Sequence, residues 1–513
     1  MNYNKKWTCD GIPKNPKYQG KGKSHSPVEN RPNYPHCVDC GLPREAMIKP
    51  GGGGSKIGLM LGGATVILAL GGVAAYGLRS QFVKPSSSSQ CMVSGPNLET
   101  ERVSSGERNL FSQNNINLDL KRGIEDFKLG NYETAAKFFE KAKEAARTDP
   151  EPKIYYNNAL ARYKKSPFKV AVVVPIDNKG TSAQEILRGV ADAQEKFNQN
   201  GGAENRLLEV MIFNDGNDPQ VAARIAQQIS QDDTILGVIG HNSSEASQAA
   251  LPCYQEKGIA MISPTSTSTS LKGNTFFRTV ANDGVTAKVM GDYLTNDLNA
   301  KNIIIFYDSQ SNYSKSLLQE IESQLPPAII KDRIDINPPD FDVKANVDSS
   351  IQAGGDTAIL LPSTETTSVA IRIAEEIKGR MKILGGDALY LPDTLIQGGN
   401  AVENMVVVAP VTPSDNYQTE ANPSWGGQIN WRTVAGFDAT EALIEAIKNS
   451  PTNPTRQNIP TNLASINVNS EASGKALQFQ EGERSSQPVL VIASKDAPAP
   501  KGAEFGFKPL SKP

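Results

Sequence analysis

The chain has 513 residues, 38% of them hydrophobic, enough for two or three domains with a sizeable core. Its net charge of −2 hides a division: residues 1–56 carry ten basic and four acidic side chains (+6), and the rest carry 43 and 51 (−8). An acidic main portion argues against nucleic-acid binding there, and five cysteines exclude a disulfide scaffold. His241 is the only histidine beyond residue 36, which leaves little material for histidine catalysis or a histidine metal centre.

The basic arm, residues 1–56, holds Trp7-Thr8-Cys9 and, farther on, Cys37-Val38-Asp39-Cys40-Gly41. A CxxC followed by glycine brings two thiolates to one tetrahedral metal from a tight turn. The pattern resembles the short zinc ribbons, but Ile12 stands where the first half would have its second cysteine. Zinc on Cys9, Cys37 and Cys40 and a degenerate, metal-free arm both remain open. The arm's charge fixes topology or binds anionic lipid.

Ile57 to Leu78 is an uncharged run of 22 residues between Lys56 and Arg79. As a helix it is about 33 Å long, sufficient to cross the hydrocarbon core. A cleaved signal peptide fits less well, because 56 residues with a cysteine motif would precede it. The positive-inside rule puts the arm in the cytoplasm and everything after about residue 80 outside. Clustered cysteines in the arm and two isolated ones, Cys91 and Cys253, agree with that orientation. Residues 79–116, with the run Ser86–Ser89, read as a flexible tether.

Over residues 117–166, Leu120, Ile124 and Phe127, then Ala135, Phe138, Phe139 and Ala142, recur at helical spacing. Leu129-Gly130-Asn131 separates the two helices, and Pro150 ends the second. Gly123, Gly130, Tyr132, Ala135, Phe139, Ala142 and Pro150 resemble one tetratricopeptide repeat, with Ile154–Tyr163 as a capping helix. Such a hairpin either docks on the next domain or offers a partner-binding groove.

From residue 167 to 495, short β-branched runs alternate with helical patterns. The runs are Val170–Val174, Ile235–Ile239, Ile259–Ile262, Ile303–Phe306, Ala358–Leu361, Ile383–Leu384 and Met405–Val408. One helix is clear: Asp218 caps it, Pro219 opens it, and Val221, Ile225 and Ile229 share a face. Apolar strands separated by helices mean parallel sheets covered on both faces, and this length means two lobes. Ligands of such α/β folds bind at the carboxyl ends of the strands. Ser243 and Ser244 open a helix after one strand, and Ser263–Thr267 follow the next. Free N–H groups and hydroxyls at such places suit a carboxylate. Each also has a plain reading: helix caps at Ser243 and Ser244, a polar turn at Thr265–Thr269, a surface-turn acid at Asp387. His241 reads as a packed strand-end residue and Cys253 as a small apolar one. Residues 496–513 form a Pro-rich tail.

The block Gly237-Val238-Ile239-Gly240-His241, Ser243, Ser244, Ser247, Pro252, Tyr254 and Met261 through Thr267 is joined by Phe277-Arg278-Thr279 and Asp283. Tyr307-Asp308, Tyr313, Gly385-Gly386-Asp387 and Gly436-Phe437-Asp438 follow in order. Together these resemble the type I periplasmic binding proteins of the branched-chain amino acid (Leu/Ile/Val-binding) family. The resemblance implies two doubly wound lobes and no enzymatic activity or required cofactor. It implies that Ser244, Thr265 and Thr267 hold an amino acid's carboxylate, with Ser266 also in the ligand site, and that Tyr313 and Asp387 face its ammonium. Pro362-Ser363-Thr364-Glu365 stands where relatives often place aromatic residues, so leucine is not assumed as ligand. The functional expectation is a membrane-anchored, extracytoplasmic solute-binding protein of an ABC uptake system, with an ABC permease as partner. A helical repeat before this fold also resembles the activators of cell-wall synthases, which leaves an interaction protein or ligand sensor as the alternative.

Overall fold

The computed structural model describes residues 7–9, 12–14, 28–30, 44–47, 91, 100–111, 117–178, 180–450, 453–485 and 487–510. The chain divides into two compact units, residues 1–84 and 85–513. In the first, strands β1 (Trp7–Cys9) and β2 (Val28–Asn30) pair antiparallel, with Trp7 opposite Asn30. Cys9 is buried there, its Sγ 3.7 Å from Met47 Sδ. Cys37, Cys40 and the apolar run Ile57–Leu78 lie outside the described residues. Among the described residues no cluster of three metal-ligating side chains occurs, and no helix is long and apolar enough to cross a membrane.

The second unit begins with β3 (Val103–Ser104) and the helices α1 (Leu118–Lys128), α2 (Tyr132–Ala145) and α3 (Pro150–Lys164). The expected hairpin forms, and Phe127, Phe139 and Tyr155 stack between its helices, with ring centroids 5.7–6.1 Å apart. Pro150 opens α3 behind the cap Asp149; α2 has already ended at Ala145. The alternation of strand and helix follows: β4 (Phe168–Val174), α4 (Gly180–Gln199), β5 (Leu208–Asn214), α5 (Pro219–Gln231), β6 (Ile235–Ile239), α6 (Ser244–Lys257), β7 (Ala260–Ser263) and β8 (Phe276–Arg278). As expected, Asp218 caps α5, accepting from Gln220 N at 2.7 Å.

The chain then crosses into a second lobe. Its elements are α7 (Asp283–Asp292), β9 (Ile303–Tyr307), α8 (Asn312–Gln324), β10 (Ile330–Asp335), α9 (Val343–Gln352), β11 (Thr357–Leu361), α10 (Thr367–Ile377), β12 (Lys382–Gly385), α11 (Pro392–Gly398) and β13 (Val406–Ala409). It returns through α12 (Asp415–Ser424), α13 (Trp431–Lys448), α14 (Ile459–Ala464), β14 (Val468–Asn469), β15 (Ala476–Leu477), β16 (Phe479–Gln480) and β17 (Glu483–Arg484). It crosses a last time into β18 (Val489–Ser494) and β19 (Gly506–Pro509). The first sheet runs β16-β17-β8-β7-β6-β4-β5-β3 and the second β10-β9-β11-β12-β13-β18-β19. The central strands are parallel, Val172 opposite Ile212 on one side and Ile239 on the other, and both faces are covered by helices. The two-lobed α/β expectation therefore holds.

Three expectations need correction. Residues 79–116 are not a tether throughout: Val103 and Ser104 pair antiparallel with Phe213 and Ile212, closing the exposed edge of β5. The buried Glu151 of α3 accepts from the backbone N–H of Leu110 and Phe111 at 2.8 and 3.1 Å, which holds that segment down. Cys253 is not a lone apolar residue, because it is disulfide-bonded to Cys91. The domain does not stop at 495, since β19, drawn from the Pro-rich tail, pairs antiparallel with β18. The helical hairpin is joined to the first lobe through α3. Asn158 donates to Ser105 O and Val210 O at 2.7 Å each and accepts from Val210 N at 2.8 Å, satisfying backbone that an edge strand would leave open.

Candidate functional site

A cleft of about 240 Å³ opens between the lobes. Its walls are loops after the carboxyl ends of β5, β6 and β7 on one side and β9, β10, β11 and β12 on the other, plus the start of α13. Each loop has a local cause. Gly240, at φ +133°, makes the turn out of β6; an added Cβ there would lie 2.5 Å from Val173 O. Behind it, the fully buried His241 is held by Asp215 Oδ2 at 2.7 Å and Tyr254 OH at 3.2 Å, the packed strand-end role expected of it. Its backbone O accepts from Ser263 Oγ at 3.0 Å, which ties the loop after β6 to the end of β7.

That scaffold presents Ser243, Ser244 and Thr265 to the cleft. Ser243 is the helix cap, accepting from Ala246 N at 3.2 Å. Ser244 is the first residue of α6, where the helix dipole and unbonded N–H groups favour an anion. Thr265 donates to Asn242 O at 2.7 Å. Ser266 and Thr267 do not line the cleft: Ser266 Oγ turns inward to Ser247 Oγ at 2.7 Å, and Thr267 is buried. The three consecutive hydroxyls lie in an irregular turn after β7, which turns Thr265 to the cleft and Ser266 and Thr267 into the lobe.

The second lobe contributes Tyr313 and Asp387, both in the cleft wall. Asp387 is 6% exposed, so the surface-turn reading fails. Burial raises its carboxyl above the ordinary value, opposed by the Tyr313 hydroxyl and the Arg432 guanidinium. Burial, and then the Asp387 charge, holds the Tyr313 hydroxyl well above its usual range. Gly386 makes their approach possible: a Cβ at that position would sit 2.4 Å from Tyr313 OH. Asp308 is fully engaged, accepting from Gln310 N (3.0 Å), Asn337 Nδ2 (2.9 Å) and Thr366 Oγ1 (3.0 Å). Across one rim the lobes meet directly, Asn312 Nδ2 donating to Gln248 Oε1 at 2.9 Å and Thr269 N to Ser316 Oγ at 3.1 Å.

Sequence reasoning missed Trp431 and Arg432, which also line the cleft. They precede Gly436-Phe437-Asp438, and Asn430 caps the helix they open by accepting from Arg432 N at 2.8 Å. Nothing in the local pattern says where that helix starts relative to a cleft. Packing decides it, through Gly189 of α4 and Gly436 of α13, where the two helices touch. Polar lining groups, the buried carboxyls of Asp308 and Asp387 and the buried Arg432 guanidinium suit a small, charged, polar molecule.

Residues 167–498 match the family model described as periplasmic binding protein. The leucine-, isoleucine-, valine-, threonine- and alanine-binding protein of Pseudomonas aeruginosa is 24% identical over 248 residues, covering 47% of this chain and 66% of that protein. The Leu/Ile/Val-binding protein of Citrobacter freundii is 30% identical over 166 residues, covering 31% of this chain and 44% of that protein. The chain thus spans less than two-thirds of the length of these relatives. Among solved structures, the substrate-binding protein LivJ of Streptococcus pneumoniae in complex with isoleucine superposes with a TM-score of 0.59 at 16% identity. That match covers 67% of this chain and all of that one.

Proposed function

We propose that this chain, which belongs to the periplasmic binding protein family, captures a small amino-acid-like solute between its lobes and delivers it to an ABC-type permease. The observation that carries this reading is the opposed pair of surfaces. Ser244 and Thr265, at strand and helix ends of the first lobe, face Tyr313 and the buried Asp387 of the second. The first surface suits a carboxylate and the second an ammonium, and closure of the lobes excludes water from both ion pairs.

The proposal extends to location. Ile57–Leu78 anchors the chain as a single membrane helix, the basic arm stays inside, and the binding domain lies outside. The disulfide between Cys91 and Cys253 supports an oxidising compartment for that domain. The tether keeps the receptor near its permease at raised local concentration. In the arm, Cys9, Cys37 and Cys40 hold zinc, and the hairpin of α1 and α2 keeps the small-residue and aromatic pattern of a tetratricopeptide repeat while docking through α3.

The experiment is a thermal-shift titration of the full chain against a panel of amino acids. At a hundredfold excess over Kd, a ligand raises stability by about 2.7 kcal/mol, a shift of a few degrees for a domain this size. Ser244→Ala combined with Asp387→Ala should abolish the shift. An unchanged shift in that double variant would mean that the solute sits elsewhere.

A further inference from the structure

Arg432 feels the charges of Asp387 and Glu185 but forms no direct ion pair among the described residues. It is 4% exposed, it lines the cleft, and its Nε and Nη1 find no hydrogen-bond partner among the described residues. The nearest acids are otherwise disposed. Glu185 accepts from Arg188, Thr433 and Asn430 N, and Asp387 stands opposite without forming an ion pair to it. Burial lowers the Arg432 guanidinium to about 10, still cationic at neutral pH. An unpaired buried guanidinium is costly, and its planar fork is shaped for a carboxylate. The Trp431 ring, with its centroid 4.3 Å from the guanidinium carbon, helps to hold that fork in place.

The rest of the cleft agrees. Asn217, Asn242, Gln310, Asn337 and Ser363 line the cleft alongside Tyr313 and Trp431, and among the described residues no Leu, Ile, Val, Met or Phe is in the lining. Asn242 Nδ2 donates to Asn217 Oδ1 at 3.3 Å and Asn337 Nδ2 to Asp308, but the buried Asn242 Oδ1 has no partner among the described residues, and an aliphatic ligand would leave it so. Of the acids in the wall besides Asp387, Asp308 has both oxygens engaged, Glu245 accepts from Asn312 N across the rim, and Glu365 is exposed to solvent, which screens its charge. The cleft therefore offers two places for an anion, the Ser244–Thr265 surface and Arg432, and one for a cation, Asp387.

We infer that the ligand is a dicarboxylic amino acid, its α-carboxylate at Ser244 and Thr265, its ammonium at Asp387 and its distal carboxylate on Arg432. This inference rests on the solute-binding reading above and narrows it.

The test is isothermal titration of the full chain with L-glutamate, L-aspartate and L-leucine, repeated on Arg432→Met and Arg432→Lys. One of the two acidic amino acids should bind at least about tenfold tighter than leucine. Arg432→Met should weaken it about a hundredfold, and Arg432→Lys should recover part of the loss. A ligand-free melt of each variant checks folding, and the methionine variant should melt no lower than wild type, because it removes an unpaired buried charge. Leucine binding as tightly as the acids, or Arg432→Met leaving acid affinity unchanged, overturns the ligand class while the solute-binding reading stands. If none of the three amino acids, nor any of the wider panel, binds wild type, both fall.

Discussion

Replacing Gly189 with alanine tests the helix crossing that carries Trp431 and Arg432 into the cleft. In an open helix the change would favour folding by about 1 kcal/mol, because alanine is the better helix former. Here the new Cβ would lie 1.9 Å from Thr433 O and 2.6 Å from Phe437 N, both backbone atoms of α13. Neither can rotate away, so α4 and α13 must part by more than an ångström. The crossing is reciprocal, since a Cβ on Gly436 would lie 2.5 Å from Ile186 O. Leu187, Val190, Val434 and Phe437, all buried around this crossing, lose packing as the helices separate. Overpacking costs about 1–3 kcal/mol; with the clash against fixed backbone at the top of that range, a net loss of about 2 kcal/mol remains after the propensity gain. The assay is urea unfolding followed by tryptophan fluorescence, with Gly180→Ala at the start of the same helix as control. No atom lies within 4 Å of a Cβ at Gly180, and that variant should stay within about 0.5 kcal/mol of wild type. A Gly189→Ala midpoint equal to or above wild type would refute the reasoning that backbone contact sets this crossing.

Three other outcomes follow from the same geometry. Gly386→Ala, whose Cβ would fall 2.4 Å from Tyr313 OH, should displace that hydroxyl and lower solute affinity at least about tenfold with little change in melting temperature; titration calorimetry showing wild-type affinity would contradict it. Burial pushes the Asp283 carboxyl up to about 7 from 3.8, so the stability tied to its protonated form is whole below pH 3.8 and is lost as pH rises through 7. Between pH 5.5 and 8, Asp283→Asn should therefore gain about 2 kcal/mol on wild type, and parallel denaturation curves at the two pH values would count against a buried, unpaired carboxyl. Reducing the Cys91–Cys253 bond, which spans 162 residues, should lower the unfolding free energy by about 4–5 kcal/mol; urea midpoints that coincide with and without reductant would show that the bond restrains nothing.

Much of the architecture was legible from periodicity. Ile235–Ile239, Val170–Val174 and Ala358–Leu361 are continuous apolar runs because both faces of a parallel sheet are covered, and each lies within an observed strand. Strands that depart from that chemistry were not seen. Leu208–Asn214 carries Glu209 at its second position, a signal against a buried strand, yet the side chain is buried and paired with Arg162 of α3 at 2.6 Å. Ile330–Asp335 is an edge strand with polar positions, and Gly506–Pro509 looks like a Pro-rich tail until β18 offers it backbone partners.

The sequence by itself determined the alternation of elements, the caps at Asp218 and Ser243, and the strand ends where Ser244 and Thr265 stand, while Tyr313 and Asp387 came from the family resemblance. Elements, caps and strand ends depend on neighbours within a few residues, and local patterns report them. Only the tertiary structure decided which hydroxyls of Ser263–Thr267 face the ligand, that Cys91 meets Cys253, and that the start of α13 enters the cleft. The first depends on contacts with the loop and helix after β6, 19–23 residues upstream, and the other two on contacts between segments more than a hundred residues apart. The two glycines at the α4–α13 crossing set the helix position, and that position leaves Arg432 buried and unpaired in the cleft wall.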